Sequence, residues 1–267
     1  MAKHAKNLPA VNSAGQSGVA VVTPAFLSDA VANDAGKGVS TDQSDNLIPL
    51  IYVLQPLSPA CNKRDPAHIE GAEPGALWLK NSAHPIVDGE TGIVFQPCYF
   101  SKDWVEWVPR ENGGGFAGRH PTLPKEAKEH RDPKNPQKVK YVMPNGNECI
   151  ETRYHAGFVL TPQGPLPYVI PMSSTAHTAS RQLMFMMNSK QMNGKKLPSW
   201  ACTYRLKTKQ KSNAAGTWFT WAIEDEGYVS SLEQYNLGKS LFDAFNTGAK
   251  TAAEEDATHA VDSDEAM

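Results

Sequence analysis

From Trp200 to Lys209 the residues alternate in character. On an extended chain Trp200, Cys202, Tyr204 and Leu206 fall on one side, and Thr203, Arg205, Lys207 and Lys209 on the other. Thr217 to Glu224 alternates too, with Thr217, Phe219, Trp221 and Ile223 against Trp218, Thr220 and Ala222. A stretch rich in Lys, Ser, Asn and Gly joins the two runs. Two period-2 segments with a short polar connection fold as an antiparallel hairpin. A chain that carries such a pair must build a sheet with a buried face beneath it.

The neighbouring segments point the same way. Leu47 to Leu54 is apolar enough to be buried and ends at Pro56 and Pro59. Ala76 to Leu79 reads as a short strand, and Asp88 to Gly92 as a turn. Ile93 to Phe100 and Trp104 to Val108 read as two strands. Trp104 and Trp107, three apart, fall on opposite faces. Glu148 to Thr161 and Leu166 to Met172 form a second hairpin around Pro162-Gln163-Gly164-Pro165. Two helices are expected. One is capped by Ser173 or Ser174 and runs to about Met192, with Ala179, Leu183, Met186 and Met187 on one face and Asn193-Gly194 as its stop. The other runs from about Leu232 to Ala249. Ser230 and Glu233 stand at capping-box spacing, and Leu237, Leu241 and Phe245 recur every four residues. The expected fold is therefore α+β: a mainly antiparallel β core, for which an OB-like barrel is one form, with two packed helices.

Three regions stand apart from that core. Residues 1–46 are rich in Ala, Gly, Ser, Asn and Asp without sustained period and read as a disordered arm. Residues 47–250 form one globular domain. Within it, residues 110–146 contain Gly113-Gly114-Gly115 and five prolines among charged residues, the composition of a long exposed loop. Residues 251–267 form an acidic tail.

Charge divides along the same lines. The formal net charge is −2. Residues 1–47 contribute −1, residues 48–250 +5, and the tail −6 through Glu254, Glu255, Asp256, Asp262, Asp264 and Glu265. Between Glu151 and Glu224 there is no acid. That stretch of 72 residues carries nine cations: Arg153, Arg181, Lys190, Lys195, Lys196, Arg205, Lys207, Lys209 and Lys211. A region kept free of negative charge suits a polyanionic partner. Single-stranded nucleic acid asks for cations to meet phosphate and rings on which unpaired bases stack. On that reading Arg181, Lys190, Lys195, Lys196, Arg205, Lys207, Lys209 and Lys211 contact phosphate. Trp200, Tyr204, Trp218 and Trp221 are the candidate stacking residues. The competing reading places those rings in the core and leaves the cations to keep an edge strand soluble. The tail would compete with DNA for the basic groove or recruit replication or recombination proteins.

Other chemistries find little support in the residues. The four cysteines, Cys61, Cys98, Cys149 and Cys202, lie far apart and read as reduced structural thiols. The histidines have no metal-ligand spacing. Gly113-Gly114-Gly115-Phe116 lacks the spacing of a nucleotide-binding loop. No nucleophile and base pair up, so neither catalysis nor a cofactor is expected. The chain has no run of apolar residues long enough to span a bilayer and no signal-peptide pattern, so a cytoplasmic protein without a membrane partner is expected.

Several motifs in the first half of the body resemble a group of bacteriophage and prophage proteins. They are Ile48-Pro49 with Gln55-Pro56-Leu57-Ser58-Pro59, then Gly71-Ala72-Glu73-Pro74-Gly75, Trp104-Val105-Glu106-Trp107-Val108-Pro109-Arg110 and Gly113-Gly114-Gly115-Phe116-Ala117-Gly118. The resemblance implies a component of a phage replication or recombination module that binds single-stranded DNA. It transfers no catalytic residue. By architecture the chain is also similar to viral single-stranded DNA-binding proteins with an OB-like core and an acidic tail. The expectation is a non-enzymatic single-stranded DNA binder able to form homo-oligomers. A virion structural protein and a strand-annealing protein are the alternatives.

Overall fold

The computed structural model describes residues 47–132, 135–214 and 216–253. The arm and the acidic run from Glu254 onward lie outside them. In chain order the elements are β1 (Leu47–Ile48), β2 (Ile51–Val53), β3 (Leu77–Leu79), β4 (Ile86–Val87), β5 (Ile93–Val108), β6 (Gly115–His120), β7 (Lys128–Asp132), β8 (Asn135–Val142), β9 (Glu148–Thr161) and β10 (Gly164–Ser173). There follow α1 (His177–Ser189), β11 (Gln191–Met192), β12 (Lys195–Lys196), β13 (Cys202–Asn213), β14 (Gly216–Tyr228), α2 (Leu232–Asn246) and β15 (Thr251–Ala252). The fold is mainly antiparallel β with two helices, as the sequence predicts.

The long strands β5 and β9 are its axis. They pair antiparallel from Val94↔Leu160 to Trp107↔Glu148. Sequence reading breaks β5 at Ser101-Lys102-Asp103, but the polar triplet stays in the sheet. The irregularity falls instead between Pro97 and Tyr99, beside a proline that has no N–H for the ladder. At one end of β5 and β9 the sheet order is β14-β13-β5-β9-β10; at the other, β6 flanks β5 and β8-β7 flanks β9.

In the first of these halves the connectivity is diagnostic. β5, β9 and β10 form a meander, α1 follows, and the β13–β14 hairpin returns so that β13 pairs with β5 through Tyr204↔Phe95. A three-strand meander, a helix and a hairpin re-entering beside the first strand is the strand order of an OB-fold. Closure of such a barrel would bring β10 to β14. Residues 49–55 stand between those two edges. The Val169 N–H donates to Pro49 O at 2.9 Å. At the other edge the Gln55 side-chain amide bonds both backbone groups of Phe219, accepting from its N–H and donating to its carbonyl, each at 2.9 Å. A side chain thus completes the ladder where a strand would otherwise be needed, and no backbone polar group at that point goes unpaired.

The inner face of this half holds Phe95, Val159, Ile170, Tyr204, Leu206, Trp221 and Ile223, capped by Ala179, Leu183 and Met187 of α1. The outer face holds Cys98, Tyr154, Phe158 and Val169, covered by Ile48, Leu241 and Phe245. β9 is therefore buried on both faces, and Tyr154 to Val159 form a continuous buried run. Each large apolar side chain buried here contributes about 1.5–3 kcal/mol relative to exposure.

Corrections to the sequence reading have local causes. Residues 110–146 are not a loop, since they carry β6, β7 and β8. Lys128 to Arg131 are exposed on both faces, so the strand has no apolar alternation to reveal it. α1 begins at His177 after a 3₁₀ turn over Ser174–Ala176 and ends at Ser189. Gln191 and Met192 belong instead to a two-stranded ribbon with Lys195 and Lys196. α2 is capped by Ser231, whose Oγ accepts from the Gln234 N–H at 3.1 Å, while Gln234 Oε1 accepts from the Ser230 N–H at 3.0 Å. The cap is thus one residue later than Ser230, and Gln234 rather than Glu233 reaches back, to the N–H of the residue before the cap. Leu237 is exposed, and the position that packs is Gly238, where a Cβ would crowd Gln96 Nε2 and Trp200 Cβ. Residues 251–253 belong to the folded body rather than the tail. β15 pairs parallel with β1, and the Ala253 N–H donates to Ile48 O at 2.9 Å.

Candidate nucleic-acid interface

The β13–β14 hairpin has the expected two faces. Cys202, Tyr204 and Leu206 point into the core, and Arg205, Lys207, Lys209 and Lys211 lie on the outer side. The register sets Arg205 opposite Glu224, Lys207 opposite Ala222, Lys209 opposite Thr220 and Lys211 opposite Trp218. Directly opposed residues of an antiparallel pair share a face, so Trp218 is on the cationic side.

Half of the stripe is neutralised by its own hairpin. Arg205 Nη2 lies 2.6 Å from Glu226 Oε1, and Lys207 Nζ lies 3.0 Å from Glu224 Oε2. The Arg205 guanidinium holds the Glu226 carboxyl below its ordinary range. Lys190 Nζ is 2.5 Å from Asp225 Oδ1 and sits 4.9 Å from the centre of the Tyr228 ring. The acid-free stretch ends at Glu224, and the three acids that end it fold straight back onto its cations. Arg153 likewise pairs with Glu151.

Among the described residues Arg181, Lys195, Lys196, Lys209 and Lys211 are exposed and make no ion pair. They do not form one patch in sequence. Arg181 is on α1, Lys195 and Lys196 are on the small ribbon after it, and Lys209 and Lys211 are at the far end of the hairpin. Arg205 and Lys211 are six residues apart on one strand, about 20 Å.

The rings divide sharply. Tyr204 is wholly buried in the core and offers no face to a base, which corrects that expectation. Trp221 is 3% exposed, so it is no outer stacking platform, and its ring reaches only the wall of the cleft between β10 and β14. Trp200 is half-buried against Phe242, with ring centres 4.9 Å apart, and serves to seat α2. Trp218 is half-buried on the outer face and is the one of the four candidates placed beside free cations. The split follows strand parity. Trp221 and Tyr204 fall on the side of Leu206, and Trp218 does not.

The outer face of β5 and β9, part of the surface through which OB-folds commonly hold oligonucleotides, is covered here. α2 lies across it. Gln96, fully buried, donates through Nε2 to Trp200 O at 2.8 Å and to Gln234 O at 3.2 Å, and Tyr99 stacks on Phe245 at 5.3 Å. With α2 docked on that face, the β13–β14 hairpin and the β10–β14 gap are the parts of this half it leaves uncovered.

That gap contains a cleft that sequence reading did not find. It is lined by Tyr52, Val53 and Gln55, by Trp107, Ile150 and Thr152 at the ends of β5 and β9, by Pro171, Ser173, Thr175 and Ala176, and by Phe219, Thr220 and Trp221 of β14. These residues come from five separate stretches, so no local motif marks them. At the base of the β6–β8 insertion Glu106 is a second polar centre. Burial alone would raise its carboxyl, but Asn147 Nδ2 at 2.6 Å, His120 Nε2 at 2.9 Å and Asn145 Nδ2 at 3.3 Å hold it below the ordinary range. Both its oxygens are engaged, which fits a strut tying the insertion to β5.

A family model now places the chain: its match runs from residue 15 to residue 251. The chain belongs to the Pam3 phage gp34-like protein family. No curated protein matches, and no solved structure matches. Membership in the Pam3 phage gp34-like family bears out the phage resemblance read from the first half of the body, and extends it through both helices, both long hairpins and the cleft. The run from Glu254 lies beyond the matched stretch. Among the described residues no group of His, Cys, Asp and Glu could hold a metal ion, and no helix is long and apolar enough to cross a membrane.

Proposed function

We propose that this phage protein binds single-stranded DNA in a replication or recombination module, with little sequence preference and without catalysis. The observation that carries the reading is one juxtaposition. Five core strands follow OB order, and the hairpin equivalent to the last two strands of that fold ends in exposed, unpaired Lys209 and Lys211 beside Trp218. In OB-folds the connection at that position is one of the two that grip oligonucleotides. The other lies between the first two strands, and here it is enlarged into β6, β7 and β8. Lys209 and Lys211 are the phosphate contacts in this reading, and Trp218, half-buried on the same face, is the ring beside them. Lys190, Arg205 and Lys207 are secondary because their charges are already paired.

Fluorescence titration with oligo-dT at several salt concentrations tests it. Affinity should fall with rising salt, and the double change Lys209→Ala, Lys211→Ala should reduce the log–log slope by about 1.4, two phosphates at about 0.7 each for a single strand. Binding that is indifferent to salt, or unaffected by the double change, would argue against this interface. Removal of residues 254–267 should tighten binding if the tail competes for the hairpin; the cut must spare Thr251–Ala252, which are part of the sheet. Recovery of the protein in purified particles, with no mobility shift on DNA, would favour the virion alternative.

A further inference from the structure

The cleft between β10 and β14 has a specific chemical character. Its aromatic walls are Trp107, Phe219 and Trp221, and its free polar groups are the hydroxyls of Ser173, Thr175 and Thr220. None of those three hydroxyls hydrogen-bonds another described residue, although Thr220 is only 5% exposed. Each of the three hydroxyls is therefore free to donate to and accept from a group that enters the cleft. No charged side chain lines the cleft among the described residues. The moiety it accepts is therefore flat, apolar on its faces, rich in donors and acceptors at its edge, and uncharged.

Charge is available just outside. On β13, one strand in from this edge, Lys209 stands opposite Thr220 and Lys211 opposite Trp218. Neighbouring strands are about 4.8 Å apart, and a lysine side chain spans more than that. A ring in the cleft could thus be joined to a phosphate on the outer face by a single sugar. The cleft wall is also fixed. Gln55 clamps the Phe219 backbone, and the Phe219 ring lies against Gly75, so closely that a Cβ there would overlap it.

We propose that this cleft is a nucleobase subsite: one unpaired base of the bound strand inserts between β10 and β14, while its phosphate is held by Lys209 and Lys211. The proposal rests on the DNA-binding reading above and adds to it a site that neither the outer face nor the hairpin tip supplies. It makes binding depend on the base itself and not only on the polyanion.

The full-length protein is titrated by fluorescence anisotropy with labelled oligo-dT and with an abasic oligomer of the same length. Insertion of a base predicts that the abasic strand binds about tenfold more weakly or worse, within the range known for stacked bases. Thr175→Trp, which fills the cleft from its half-exposed rim, should lower oligo-dT affinity to the abasic level. It should leave abasic affinity and the salt slope unchanged. Equal affinity of the wild-type protein for both strands would overturn the subsite and leave polyanion binding standing. Failure to bind either strand would overturn both. In the unaltered protein, ultraviolet crosslinking of an oligo-dT strand containing 5-iododeoxyuridine should give adducts at Trp107, Phe219 or Trp221. Adducts confined to other residues would refute insertion, whatever the folding of the variant.

Discussion

His155 makes the acid stability of this protein calculable. Its imidazole is fully buried in β9, with Nε2 2.9 Å from Ser180 Oγ of α1, the Phe100 ring 5.0 Å away, and Nδ1 without a partner. Burial, assisted by the positive charge of Arg153, pushes its pKa from 6.5 down to about 3. The unfolded chain takes up a proton near pH 6.5 that the folded chain refuses until about pH 3. Between those values the unfolded state binds more protons, so stability falls as the pH falls, by about 1.4 kcal/mol per pH unit. At pH 5 the loss from this one group is about 2 kcal/mol, a substantial part of a total stability of about 5–15 kcal/mol. His177 is also pushed down by burial and adds in the same direction. The contribution of His155 is isolated by comparing slopes rather than absolute stabilities. Urea unfolding of wild type and His155→Gln at pH 7, 6, 5.5, 5 and 4.5 should show the variant losing less stability across the series. The difference should grow to about 2 kcal/mol at pH 5 relative to pH 7, whatever the variant's cost at neutral pH. Parallel curves for the two proteins would show that the imidazole is protonated in the folded state, or reached by water, and would defeat the argument.

Gly89→Ala should be strongly destabilising. A Cβ there would fall on the Gly75 carbonyl oxygen and Thr208 Oγ1, two groups already joined by a 2.6 Å hydrogen bond. Overpacking against backbone costs about 3 kcal/mol, and thermal unfolding followed by circular dichroism should show a lower midpoint with an unchanged folded spectrum. Glu224→Gln with Glu226→Gln releases Lys207 and Arg205 from their partners. If the hairpin meets DNA, oligo-dT binding should become tighter and its salt slope steeper by up to about 1.4, while folding stability changes by less than about 1 kcal/mol per exposed pair. Thiol titration of the native protein should detect Cys61 first. Cys98, Cys149 and Cys202 are buried, and burial pushes their thiols up, so they should react only on unfolding. Fast reaction of more than one thiol in the folded protein would contradict that packing.

What the sequence revealed followed from periodicity. The β13–β14 hairpin is where alternation puts it, because one face lies in the core and the other nearer solvent, whereas β9 and β10, buried on both faces, show as apolar runs on either side of the Pro162-Gln163-Gly164-Pro165 turn. α1 shows its buried face through Ala179, Leu183 and Met187. β7 did not show itself because solvent meets both of its faces and polar residues carry no period. β5 was split because Ser101-Lys102-Asp103 resembles a turn, while the ladder to β9 holds it extended. The same contrast governs the site. Strand parity separates core from surface, and it is the reason Tyr204 and Trp221 are lost from the outer cationic face and Trp218 is kept there. Parity says nothing of which strand edges meet, so Gln55, Ser173, Thr175 and Phe219 gave no signal that they would share a cleft.

Charge counting along the chain misleads here for a physical reason. The nine cations between Glu151 and Glu224 are uninterrupted in sequence, but a hairpin doubles back, and it folds Glu224 and Glu226 over Lys207 and Arg205. A linear run of one sign therefore measures an upper limit to the surface potential of a strand pair. The potential that survives lies where the returning strand has no acids, at Lys209 and Lys211 opposite Thr220 and Trp218. The hairpin is consequently polar along its length. Its base is neutral and tied to α1 through Lys190 and to the core through Tyr204; its tip is positive and faces solvent. On the function proposed above, that gradient would direct the DNA to the end of the hairpin next to the β10–β14 gap, and away from the face on which α2 is docked.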